Sequence, residues 1–242
     1  MAERGFKEPG ELPRRFYKAV EVAEANGAFE VRLDGRTPKS PAGKPLALPT
    51  RGLADLIAAE WAGQGKHIVM AGMVATRLAW TAIDRVCEAH GEVAAEVARY
   101  AGSDALCYVA EQPLELVERQ ALQWRPLLDW SSADLGVELH AVEGIVHRPQ
   151  PPHSLARVET LAAELDDFTL SALAHATALF GSAVLALAVQ RGRLTGEEAF
   201  ALSRLDETFQ EERWGVDEEA AERTERLTGE AKMLHLWFAA LR

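Results

Sequence analysis

The residues best placed to do chemistry lie in one segment, Leu202-Ser-Arg-Leu-Asp-Glu-Thr-Phe-Gln-Glu-Glu-Arg-Trp-Gly215. Leu202, Leu205 and Phe209 recur at helical spacing and form an apolar stripe. Asp206 and Gln210 are i,i+4 neighbours beside it, and Glu207 and Arg213 add charge at its edge. Trp214 ends the run before Gly215, a glycine placed for a helix C-cap. Two readings compete. A stripe plugged by an indole describes an ordinary amphipathic core helix. An acidic flank with Arg213 and Trp214 describes a recognition surface, because Trp and Arg are the usual anchors of protein interfaces. Trp61, which follows Leu53, Leu56 and Ile57 at helical spacing, is a further candidate anchor, or else it fastens its helix to a sheet. Asp206 either meets a partner or pairs with Arg77 or Arg204.

Other chemistries find less support. There is no His-Glu-x-x-His and no Cys-x-x-Cys, and His140, His147 and His153 share a loop region at spacings that fix no common face. His175, in an apolar run, reads as a core histidine. The glycines between Gly27 and Gly43 belong to hairpin turns, and no phosphate-binding loop occurs. Arg36, Lys39 and Lys44 on those turns read as solvated tips. No G-x-S-x-G supports a hydrolase elbow. No catalytic residue, metal ligand or cofactor site is assigned. The alternative is a small-ligand-binding protein or enzyme with a site between two domains, where ligands often bind.

Charge narrows the partners. The 242 residues carry 37 acids and 26 bases, a formal net charge of -11. Nucleic-acid binding needs surplus Lys and Arg, so it is not expected. The imbalance is local: residues 1–51 carry a net +3, and residues 195–230 a net −8. Cys87 and Cys107 read as free, buried thiols in a reducing cytoplasm. The N-terminal stretch has no apolar core for a signal peptide, and its three glutamates argue against an organelle leader. Phe168–Gln190 has no charged residue and is long enough to span a bilayer. Its Thr169, Ser171, His175, Thr177, Gly181 and Ser182 favour instead a central helix buried in a helical body, with no stable membrane insertion.

The elements that must position these residues follow from periodicity. Tyr17–Val22 and Phe29–Leu33 alternate, and Asn26-Gly27 and Asp34-Gly35 are turn signals that tolerate positive φ. With Pro45–Pro49 they predict a small antiparallel meander. From Thr50 the period turns helical. Helices are predicted over 51–62, 74–86, 88–101, 114–135, 154–165, 168–190, 196–214 and 217–240. The fold class is α+β: a β-rich N-terminal domain over 1–72 and an α-helical domain over 73–242.

These segments together resemble the assembly chaperones for the alpha subunit of F-type ATP synthase, the Atp-twelve family of mitochondria and bacteria. The resemblance rests on Arg15-Phe-Tyr-Lys18, Val31-Arg-Leu-Asp-Gly-Arg-Thr-Pro-Lys-Ser40, Leu46-Ala-Leu-Pro49 and Ala59-Glu-Trp61. It resumes with Tyr100, Ser103-Asp104, Cys107-Tyr108, Trp124, Pro126 and Trp130, and closes with Leu202–Asp206 and Arg213-Trp-Gly215. It implies a non-enzymatic protein that binds the newly made alpha subunit and is displaced as beta joins. It implies no cofactor. Mitochondrial members begin with a targeting extension not evident here, so a bacterial cytoplasmic member is expected, with the mitochondrial matrix the site of its eukaryotic relatives. A monomer is expected. Trp61, Asp206, Glu207, Arg213 and Trp214 are the candidate partner-binding residues.

Overall fold

A computed structural model describes residues 12–242. The N-terminal stretch read for a leader lies outside the described residues up to Glu11. Strands β1 (Val20–Ala25) and β2 (Ala28–Leu33) form a hairpin, with Val20 opposite Leu33 and Ala25 opposite Ala28. Asn26 and Asp34 take positive φ, as the turn signals require. β3 (Ala47–Leu48) joins β2, with Phe29 opposite Leu48 and Glu30 opposite Ala47, to complete a three-stranded antiparallel sheet. Val31, Leu33, Leu46 and Leu48 point inward and are fully buried. Helix α1 (Arg51–Ala62) covers this sheet, and Leu53, Ala54, Ile57 and Trp61 form its buried face. Thr50 accepts from the Leu53 N–H as N-cap and donates its hydroxyl to the Ala240 carbonyl at 2.7 Å, joining the start of α1 to the end of the chain.

The remainder is helical: α2 (Val74–Thr81), α3 (Cys87–Ala101), α4 (Leu114–Leu135), α5 (Pro152–Ala163), α6 (Asp167–Phe180), α7 (Ala183–Gln190), α8 (Gly196–Ser203), α9 (Leu205–Trp214) and α10 (Glu218–Ala240). A small parallel pair, β4 (Tyr108–Val109) and β5 (Val142–Glu143), clips the segments flanking α4. Buried side chains from the sheet through α10 form a single apolar cluster. Cys107 is buried as expected, but Cys87 is exposed, because its thiol sits on the outer face and donates to the Ile83 carbonyl at 2.9 Å.

The uncharged run does not form one helix. It breaks at Gly181 (φ 62), and Ser182 caps α7 by accepting from the Leu185 N–H. A segment from before α4 enters the break. Ala105 N–H donates to the Gly181 carbonyl at 3.0 Å, and the Asp104 carboxylate accepts from Val184 and Leu106 N–H at 3.1 Å each. Both halves are nearly all buried by the surrounding helices. Among the described residues no helix is long and apolar enough to cross a membrane. The periods predicted over 74–86 and 196–214 are also interrupted, by a π turn at Ala82–Val86 and by a break at Arg204.

Asp104 is fully enclosed, and burial raises its pKa to about 6 despite its hydrogen bonds to Ser182, Val184 and Leu106. The folded protein therefore holds this proton more tightly than the unfolded chain. The residue's contribution to stability is complete below about pH 4 and declines as pH rises toward 6, by about 3 kcal/mol at ~1.4 kcal/mol per unit. Asp104→Asn removes that slope. In urea denaturation the variant is expected to gain on the parent steadily between pH 4 and pH 6; a constant difference rules the shift out. A Cβ added at Gly196 would sit 1.8 Å from the Ala231 carbonyl oxygen, whereas at exposed Gly229 it meets nothing within 4 Å. Gly196→Ala is expected to destabilise by about 3 kcal/mol, and Gly229→Ala to stabilise by ~0.5–1 kcal/mol, both read from denaturant midpoints.

Candidate functional site

Helix α9 lies antiparallel along α4, fixed by its own short stripe. Leu205 and Phe209 are buried against the body. Above them the seam is polar. Gln120, buried on α4, donates to Asp206 Oδ1 at 2.6 Å, while its own Oε1 accepts from the Ala110 N–H at 2.7 Å. Trp124 Nε1 donates to the Leu202 carbonyl at 3.0 Å. Arg119 makes a two-point contact with Glu212, both bonds 2.9 Å, and that hydrogen bond holds Glu212 below the usual carboxylate range. Arg213 pairs with Glu115. The two guanidinium groups, Arg119 and Arg213, lie 5.2 and 4.3 Å from the Phe209 ring centre. Cation–π contact and pairing thus hold both arginines flat against the seam.

The predicted site residues divide. Arg213 and Trp214 sit together at the end of α9 beside the start of α4, and the Trp214 indole is 79% exposed, so it plugs nothing. Asp206 turns toward α4 and meets Gln120 rather than Arg77 or Arg204; Arg204 pairs instead with Glu211 at 2.5 Å. Glu207, one position on, faces the opposite side. It lines a groove of about 660 Å³ with Arg204, Asp217, Glu219 and Arg223. Trp61 belongs elsewhere. It is 4% exposed on α1, with its carbonyl accepting from the Tyr17 hydroxyl at 2.6 Å and its ring edge-on to Tyr17 and Trp80. Its indole is enclosed in the wall between sheet and helices.

Three further exposed apolar residues escaped the sequence reading. Leu114 opens α4 next to Glu115 and is 69% exposed; Ile145 and Val146 are 93% and 77% exposed. Gly144 backs onto Glu111, three residues before Leu114, which brings that loop tip to the same end of α4. Val216, just past the α9 cap, is also exposed. An apolar pair in a loop between glycine and proline, outside any periodic element, is the sequence signal that marks Ile145 and Val146. Among the described residues no group of acids, histidines and cysteines is arranged to hold a metal.

This geometry gives a helical body an exposed face that is apolar at the end of α4 and acidic along α9 and α10. Comparison with known proteins shows the family. The family model described as ATP12 chaperone protein matches residues 14–132. Protein atp12, mitochondrial, of Schizosaccharomyces pombe is 30% identical over 222 residues, covering 86% of this chain and 76% of that one. The crystal structure of Atp12 from Paracoccus denitrificans superposes with a TM-score of 0.87 at 39% identity, covering 95% of this chain and 99% of that chain. An aspartate-to-lysine mutant of the same protein superposes equally well. A candidate chaperone from Agrobacterium tumefaciens gives a TM-score of 0.90 at 42% identity, covering 96% and 87%. The chain belongs to the ATP12 chaperone family, the family of ATP synthase assembly chaperones.

The two tryptophans separate packing from display. Trp61→Ala is expected to cost about 4 kcal/mol in chemical denaturation. Trp214→Ala is expected to stay within ~0.5 kcal/mol of the parent.

Proposed function

We propose that this protein binds the unassembled alpha subunit of the F-type ATP synthase head, shields its subunit interface, and is displaced when beta takes that interface. Family membership supports the assembly role. The observation that carries the finer reading is the exposed Trp214, at the same end of α4 as the exposed Leu114 and two residues before the exposed Val216. Clusters of large exposed apolar residues mark interaction sites. An unassembled subunit exposes the matching kind of surface, and covering it prevents self-association. Asp206 and Glu207 add negative charge on either side of α9, and Arg213, drawn onto Phe209, leaves the indole uncovered. Trp61 enters through α1, which it fastens to the sheet. In a bacterial host the setting is the cytoplasm, and the protein acts as a monomer.

Refolded alpha subunit mixed with this protein is expected to yield a soluble complex that beta dissolves. An alpha subunit that precipitates regardless, or a complex that survives an excess of beta, overturns the reading. Glu207→Lys and Trp214→Ala, at exposed positions, are expected to weaken alpha binding about tenfold in titration while leaving the denaturation midpoint in place. Asp206→Lys is expected to weaken it as well, but it also strands the buried Gln120 amide, so its stability must be measured alongside.

A further inference from the structure

A cleft of about 450 Å³ lies where the Pro41 turn of the sheet region meets α2, the π turn and α6. Arg77, Trp80, Thr81, Asp84 and Arg85 line it at positions i, i+3, i+4, i+7 and i+8 of one helical face, and His175 of α6 borders it. A second chamber of about 180 Å³ continues it past Arg85 and His175 toward Glu96.

The wall is rich in donors, and its acceptors are spent. Asp84 Oδ1 accepts from the Ser40 hydroxyl at 2.6 Å, and Oδ2 from the Ala42 N–H at 3.0 Å. Glu230, behind the wall, is shared by Arg226 at 3.0 Å, His175 at 3.2 Å and Arg77 at 4.0 Å. Arg85 makes no ion pair among the described residues. Arg77 Nε and Trp80 Nε1, one turn apart, are buried without an acceptor. Native proteins leave few such groups unpaired. The π turn at Ala82–Val86 widens the helix beside this wall, and such turns recur at functional sites. Arg77 and Arg85 thus face the cleft with its own lining carboxylate, Asp84, already engaged, and Glu96 stands only in the adjoining chamber.

We propose that this cleft binds an acidic peptide segment, with Arg77 and Arg85 each taking a carboxylate and Val74, Leu78 and Trp80 taking the apolar side chain midway between them. The two arginines leave the helix roughly 12 Å apart along its axis. An extended peptide covers that distance in about four residues and returns its side chain to the same side. Guanidinium forks bind carboxylates at two points, which a lone lysine does not. The cleft lies apart from α9, and its proposal does not rest on the alpha-subunit reading.

The probe is a fluorescein-labelled peptide, Ala-Glu-Ala-Leu-Ala-Glu-Ala, titrated with the full-length protein by anisotropy at low salt. Binding is expected, with the Gln-for-Glu peptide at least tenfold weaker. Arg85→Gln is expected to weaken the acidic peptide about tenfold. This variant is decisive because Arg85 is exposed and unpaired, whereas Arg77→Gln also disturbs the Glu230 cluster. Equal affinity for the two peptides, or unchanged binding by Arg85→Gln, overturns the proposal. So does displacement of the peptide by citrate or inorganic phosphate at equal or lower concentration, which assigns the cleft to small anions.

Discussion

The structure turns on one buried carboxylate. Asp104 enters the gap between α6 and α7 and takes the N–H of Val184, while its neighbour Ala105 takes the Gly181 carbonyl. Gly181 and Ser182 stop the uncharged stretch from Phe168 to Gln190 locally, and the insertion satisfies the backbone groups that the stop exposes. Unbroken, the stretch would run on as one apolar rod. The break folds the rod on itself, so that α3, α5, α8 and α10 can enclose both halves. An aspartate among apolar helices is costly to bury, and burial shows in its raised pKa. Its hydrogen bonds to a helix N-terminus offset the cost, because those N–H groups would otherwise be buried without partners.

The same device recurs in the sheet region. Glu60, on α1, accepts from Ala75 and Thr76 N–H at 2.7 Å each and from the Thr76 hydroxyl, so one helix caps the start of the next. Asp34 accepts from Lys18 and Ala19 N–H and squares off the hairpin. Asp84 takes the Ser40 and Ala42 turn onto the π segment. Two of the motifs behind the family resemblance, Ala59-Glu60-Trp61 and Ser103-Asp104, therefore place helices rather than meet partners. The C-terminal motif differs. Its Leu202, Asp206 and Arg213 hold the seam on α4, and Trp214 is what that seam presents.

What the sequence made legible follows this division. The hairpin turns, the α1 cap at Thr50 and the buried face of α1 are local matters of period and φ, and they appear as read. Contacts made from a distance do not. Nothing near Gly181 announces that Asp104 will fill the gap, since a glycine in an apolar run also fits a tight packing point. Gln120 as the partner of Asp206 is equally invisible, because the pair is 86 residues apart and made of types that pair with many others. The contrast between Trp61 and Trp214 was available. Trp61 follows Ile57 by four residues and stays in phase with the buried stripe. Trp214 follows Phe209 by five, about 140° around the helix at 100° per residue, which turns it outward.

The acidic bias of residues 195–230 also changes meaning once partners are assigned. Glu211 and Glu212 are neutralised by Arg204 and Arg119, Glu198 closes the capping box of α8 on Thr195, and Glu230 is shared by Arg226, Arg77 and the His175 ring. Exposed pairs of this kind add little stability, and the seam is held chiefly by Leu205, Phe209 and the Gln120 bridge. They do remove charge from what a partner meets. Glu207, Glu218, Glu219, Glu222 and Glu225 make no ion pair among the described residues, and the first turns of α10 that carry most of them are exposed on every side. The field available for steering is therefore concentrated on a short projecting arm next to the apolar end of α4. Attraction there is screened within about 10 Å at ordinary salt, so it can speed an encounter without strengthening the bound state.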